Sequence, residues 1–229
     1  MTHLQEKLHQ LREDLSDMGI LVQSQLSKSI SSLLEKDEDL ANEVLGKEKR
    51  VNAFELKIDK GCENIFALLT PVAHDMRLVF ATLKINADLE RIGDYADDIA
   101  RLVIMGKKKF DKRLIEKIEL SKMYEIVLAM LRDVILAYKE NDSRLARSVF
   151  STDLQVNRIN HDALPTIVKY CKAGKKNKNI EQALHLFSII HKLERVGDHV
   201  TNIAEEIIFF KEAKILKHGN KGGDHTADK

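Results

Sequence analysis

Leu89-Glu90-Arg91-Ile92-Gly93-Asp94 returns, with one conservative change, as Leu193-Glu194-Arg195-Val196-Gly197-Asp198. The repetition runs past the hexapeptide, since Ile99-Ala100 recurs as Ile203-Ala204 at the same distance. Upstream, Val51-Asn52 matches Val156-Asn157, displaced by one residue from the hexapeptide register. One half of the chain is therefore a copy of the other, and a reading of either half serves for both.

The apolar period around these motifs is helical. Leu4, Leu8, Leu11, Leu15, Met18, Val22, Leu26, Ile30 and Leu33 follow one another at three- and four-residue steps, which predicts a long first helix. The polar break Lys36-Asp37-Glu38-Asp39 precedes a second helix over about 38–69. Thr70-Pro71 reads as an N-cap followed by proline in the first turn, starting a third helix that stops at Gly106. The order then returns: a fourth helix over about 114–140, a fifth over 143–173 with a kink or break expected at Pro165, and a sixth opened by an Asn179/Gln182 capping box and ending near 212. The expected fold is all-α: six long helices in two tandem three-helix bundles with pseudo-twofold symmetry. The first repeat is assigned to 1–106, a basic linker to 107–113, the second repeat to 114–216, and a Gly-, His- and Lys-rich tail, expected to be disordered, to 217–229. Two prolines and no tryptophan in 229 residues suit long helices better than a strand-rich domain.

Charge narrows the function. A formal net charge of +1 gives no global electrostatic case for nucleic acid, and the run Lys107-Lys108-Lys109 with Lys112 and Arg113 reads as a solvated linker. Cys62 and Cys171 lack CxxC partners and read as reduced, buried thiols. With no 18-residue uncharged stretch and no apolar leader, a cytoplasmic location is expected.

The motifs themselves carry acids. Glu90, Asp94 and Asp98 fall at i, i+4 spacing and share a helix face, as do Glu194, Asp198 and Asn202. Like charges so placed cost a few tenths of a kcal/mol, and their recurrence beside the same glycine raises the odds of a function. Gly93 and Gly197 lie between this stripe and the core, where a missing side chain lets a backbone or a ligand approach. Glu55 and Asp59 on the second helix repeat the spacing, with Glu48 and Asn52 two turns earlier; in the second half the related pair is Asp153 and Asn157. Facing pairs of this kind make an oxygen-rich pocket suited to hard cations or ferric iron. His199 and His161, each beside an acid, are further possible ligands. Arg91 and Arg195 directly follow the motif glutamates and read as ion-pair partners of the stripe or as partner-binding groups. A ferritin-like di-iron centre needs Glu-x-x-His on two helices, and only Glu6–His9 has that spacing. No nucleophile–base set, phosphate loop or zinc cluster is legible.

Residues 89–100 and 193–205, together with Val-Asn-x-x-Glu-x-x-x-Asp at 51–59, resemble the signature segments of the PhoU family, and the likeness spans about residues 5–212. The resemblance implies a cytoplasmic negative regulator of phosphate uptake and of phosphate-starvation signalling. It would act by contacts with a sensor histidine kinase and with the ATPase of a phosphate ABC transporter, and self-associate as a dimer or larger species. It also implies carboxylate-bound clusters of iron or another metal (zinc, manganese, magnesium). By matching position these would be held by Glu55, Asp59, Glu90, Asp94 and Asp98 in the first repeat, and by Asp153, Asn157, Glu194, Asp198 and Asn202 in the second. Asn52 and Asn157 depart from the family pattern, where an acid is frequent, and Pro165 departs as well. The competing readings are an accessory protein of a low-affinity phosphate permease, a di-metal phosphohydrolase or oxidase, and a purely structural helical adaptor whose acids only face solvent.

Overall fold

The first two helices of each half are joined by the same turn. α1 (His3–Glu35) ends on Lys36 in the left-handed region, φ 59°, and Asp37 then caps α2 (Glu38–Leu68) by accepting from the Leu40 amide at 2.9 Å. In the second half, residues 105 positions later do the same: Asn141 closes a helix at φ 52°, and Asp142 accepts from the amides of Arg144 and Leu145. Both turns are fastened by a backbone bond of 2.9 Å, Asp37 to Ser32 and Asp142 to Ala137. These 6→1 bonds close a Schellman-type end and satisfy carbonyls the helix leaves open. In this computed structural model the described residues are 2–106, 109–173 and 180–213.

Among them the elements are all helical. α3 spans Ala73–Met105, α4 Lys112–Lys117, α5 Leu120–Glu140, α6 Ser143–Ala173 and α7 Ile180–Glu212. Six are long, and the seventh, α4, comes from a break in the predicted fourth helix. Glu119 sits at φ 52°, so the backbone turns between Ile118 and Leu120. The apolar period runs on through the break, because Phe110, Leu114, Ile115 and Ile118 are all buried, and a single left-handed residue leaves no mark on that period. Two other expectations are corrected. α3 begins at Ala73, with Asp75 accepting from the Val72 amide, so Pro71 lies in the connection and not in the first turn. Pro165 does not break α6, which runs through it. Its ring is exposed, and the carbonyl it deprives of a donor belongs to exposed His161, where water can serve. The expected Asn179 cap and the tail at 217–229 lie outside the described residues, as do Lys107 and Lys108 of the linker.

In the first half α1, α2 and α3 pack on one another, and in the second α5, α6 and α7 do. The halves meet through α3 against α7 and α1 against α5, leaving α2 and α6 on the flanks. Buried Tyr138 of α5 ties the junction. Its hydroxyl lies 2.9 Å from Thr82 of α3, its ring meets Phe210 of α7 edge-on, and Arg12 of α1 stands over it while donating to the Tyr138 and Lys139 carbonyls at 3.1 Å. No described helix is long and apolar enough to cross a membrane.

Tyr138→Phe removes one buried hydrogen bond and should cost about 1 kcal/mol in urea unfolding. Burial, with the nearby Asp59 and Glu63 charges, pushes the Cys62 thiol up to about 12. Native protein should therefore titrate one thiol, that of half-buried Cys171, and release the second only on unfolding. Cys171→Ser should abolish the native reaction, and Cys62→Ser should leave it unchanged.

Candidate carboxylate site and the interface between repeats

The motif glycines answer the question their sequence raised. A Cβ on Gly93 would lie 3.3 Å from Cγ1 of Val51, and one on Gly197 would lie 3.4 Å from Cγ1 of Val156 and 3.0 Å from Oδ1 of Asp153. Val51 and Val156 are the residues matched between the repeats. The glycines thus let the third helix of each half sit close on the second, and side chains of α2 and α6 fill the space a ligand could have taken.

Close packing brings the first-repeat acids together. Asn86 of α3, almost wholly buried, donates to the Glu55 carbonyl at 3.1 Å and to Asp59 Oδ1 at 2.9 Å, which fixes α2 against α3. One turn on, burial raises the Glu90 carboxyl above the usual range, and the carboxylates of Asp94 and Glu55 raise it further, against an opposing pull from Arg91. Arg91 lies 3.7 Å from Glu90 and 3.5 Å from Asp94, a loose pairing that leaves it exposed. In the second repeat Glu194 is raised likewise, by burial first and Asp198 next, while His191 stands 3.4 Å away. Asp153 is only 2% exposed and turns inward against Gly197, accepting from exposed Asn157 at 2.8 Å.

The remaining candidates are held between the halves. Asp98 is bound by Lys192, and at the mirrored position Asn202 reaches Asp88 at 3.4 Å, beside His199 at 2.7 Å from the same oxygen. Arg195 donates to the Tyr95 hydroxyl at 2.8 Å, and Lys84 meets Glu206 at 2.7 Å. Climbing α3 through 84, 88, 95 and 98 means descending α7 through 206, 202, 195 and 192, an antiparallel ladder centred at the level of Gly93 and Gly197. Asp98, Asn202 and Arg195 are thus rungs of the repeat interface. His161 is exposed and, among the described residues, bonds its neighbour Asp162 at 3.1 Å.

Two groups escaped sequence reasoning. Asp97, 6% exposed, accepts from Arg101 Nε at 2.7 Å, and burial still pushes its carboxyl up. Its position on the core side of α3, four before an arginine, was the available signal. Asp88 could be found only from the α3–α7 register. With Arg91, Asp94, Tyr95, Asp98 and Arg101, Asp97 lines a polar groove of about 400 Å³ along α3.

All these donors are oxygens, which fits a hard cation. Among the described residues, however, no three His, Cys, Asp or Glu side chains are gathered closely enough to hold a metal as they stand. Glu55, Glu90 and Asp94 come nearest in electrostatic terms, and Glu55 and Asp94 are half exposed.

Fold and site together define a duplicated three-helix bundle whose polar face is carboxylate-rich. The PhoU domain model matches residues 15–103 and 120–207, and the chain belongs to the PhoU family. It is 31% identical over 222 residues, 97% of this chain and 92% of the relative, to the phosphate-specific transport system accessory protein PhoU homolog of Zymomonas mobilis. It is also 31% identical to the accessory protein PhoU of Escherichia coli, over 95% of this chain and 88% of that one. The crystal structure of PhoU from Pseudomonas aeruginosa superposes with a TM-score of 0.85 at 31% identity, covering 93% of this chain and all of that one.

Valine at Gly93 or Gly197 should overpack the helix contact and cost about 1–3 kcal/mol, with far-UV helicity retained. Gly46, which has open space where its Cβ would be, is the control: alanine there should stabilise by up to about 1 kcal/mol. A glutamate raised in the folded state favours folding below its ordinary pKa and loses that advantage as pH rises. In chelator-treated protein Glu90→Gln should therefore be more stable than wild type at neutral pH, with the difference closing below roughly pH 4. A constant difference across that range would mean that the carboxylate is not crowded.

Proposed function

We propose that the chain is an accessory protein of a phosphate-specific transport system that acts as a negative regulator of phosphate uptake and of phosphate-starvation signalling. The observation that carries the reading is the full-length match to accessory proteins of that system, over both repeats and at over 90% of the chain. Action by contact, with a sensor histidine kinase and the transporter's ATPase as partners, suits a bundle whose motif residues build interfaces: the glycines seat helices and the α3–α7 rungs join halves. Its place is then the cytoplasmic side of the membrane. A phosphate-replete strain deleted for the gene should express starvation genes and accumulate phosphate, and the wild-type chain should correct both. Unchanged expression and uptake in the deletion would sink the regulatory role.

Metal binding is the second part of the proposal. Glu55, Glu90 and Asp94 supply the best donors, since crowded carboxylates are what a cation relieves. A bound cation would neutralise the face and tie α2 to α3. In the second repeat Glu194 and Asp198 remain, with Asp153 turned inward, exposed Asn157 bonded to it and Asn202 turned to Asp88, so occupancy there should be weaker. Elemental analysis after dialysis should find iron, zinc or manganese in the wild type and little in a Glu90/Asp94/Glu194/Asp198 quadruple alanine variant of equal helicity. Metal-free wild-type protein would leave these acids as a solvated, partner-facing surface.

A further inference from the structure

A cleft of about 430 Å³ opens between the first turns of α1 and the C-terminal half of α2. Leu11, Ile65 and Leu68 line it, and Leu68 is three-quarters exposed. The rim is cationic. Lys57 is committed to Asp14 at 2.7 Å, whereas exposed Lys7 and Lys60 have no ion-pair partner among the described residues.

The second repeat is built differently at the matching place. By the 105-residue shift, Lys7–Asp14 correspond to Lys112–Glu119, the stretch that holds α4. Where α1 runs straight, the copy turns at Glu119 and lays α4 against α5 and α6, burying Phe110, Leu114, Ile115 and Ile118. Tyr170, the counterpart of the lining residue Ile65, fastens it through Asp111 at 2.5 Å, and Arg158 of α6 holds Glu119 at 3.2 Å. One half thus folds this opening stretch onto its neighbours as a separate apolar turn, and the other keeps it straight beside an open cleft, with Lys7 and Lys60 lacking ion-pair partners among the described residues.

We propose that the first-repeat cleft is a docking groove for an amphipathic, acidic helical segment of a partner protein. The segment's apolar side chains would lie on Leu68 and Leu69, above a floor of buried Leu11 and Ile65, and its carboxylates would reach Lys7 and Lys60. This deepens the contact reading given above by naming a surface and the chemistry it selects.

The probe is a fluorescein-labelled peptide of residues 110–119 carrying K112E, R113E and K117E, titrated against the full chain by anisotropy. Saturable one-to-one binding is expected, weakened at least about tenfold, or 1.4 kcal/mol, by Lys7→Glu/Lys60→Glu in protein of unchanged helicity. The unmodified basic peptide should reverse that preference. Equal binding to both proteins, or no saturable binding, overturns the groove. Stoichiometric displacement by dodecanoate at lower concentration than the peptide itself would assign the cleft to a lipid-like amphiphile, and overturns it too. A failed titration beside an intact effect of gene deletion on phosphate uptake removes the groove alone; the converse pattern removes the regulatory role alone.

Discussion

The antiparallel contact of α3 with α7 is the constraint on which the rest of the molecule depends. Each helix belongs to a different half, and each carries the motif hexapeptide at its middle. Their register aligns the two hexapeptides, sets the exchange axis at Gly93 and Gly197, and thereby places α1 beside α5 and α2 and α6 outside. The rungs along it are polar and partly exposed, so each contributes little stability. Their contribution is to fix alignment, while Tyr138 and the buried aliphatic residues around it supply the cohesion.

Within each half the decisive feature is smallness at one point. Gly93 against Val51 and Gly197 against Val156 bring the outer helix close enough for Asn86 to reach two groups on α2 in the first half and for Asp153 to lie against Gly197 in the second. The acid crowding around Glu90 follows from the same closeness. Carboxylates that a wider helix spacing would have left in water are pressed into partial burial, which is why the Glu90 and Glu194 carboxyls are raised. The two halves then diverge. The first keeps acids on both facing helices, and the second turns its α6 acid, Asp153, inside against Gly197.

Much of this was legible in the chain itself. The duplicated hexapeptide gave the repeat, and the match of Val51 with Val156 marked a second pair of equivalent positions, but not that these valines touch the motif glycines. The polar breaks at Lys36-Asp37 and Asn141-Asp142 marked the turns. The break at Glu119 was not legible, because the apolar residues of α4 continue the period of α5, and one backbone angle changes direction without changing the pattern. Nor could spacing on one helix show that Asp98 and Asn202 look across to α7 and α3 and not toward α2 and α6. That depends on how helices distant in sequence are aligned. Pro165 misled for a related reason: on an exposed helix face the missing bond is replaced by water.

The rungs between α3 and α7 are not interchangeable. Were a first half to meet another first half in the same geometry, Asp98 would confront Asp88, two carboxylates with no cation between them. A second half meeting its like would set Lys192 against Asn202, Arg195 against His199 and Glu206 against Ser188, with no rung joining opposite charges. Only the mixed pairing supplies opposite charges at both ends. The descendants of a duplicated segment have thus become complementary instead of identical, and the fused chain has forfeited the symmetric assembly from which such a duplication could have begun.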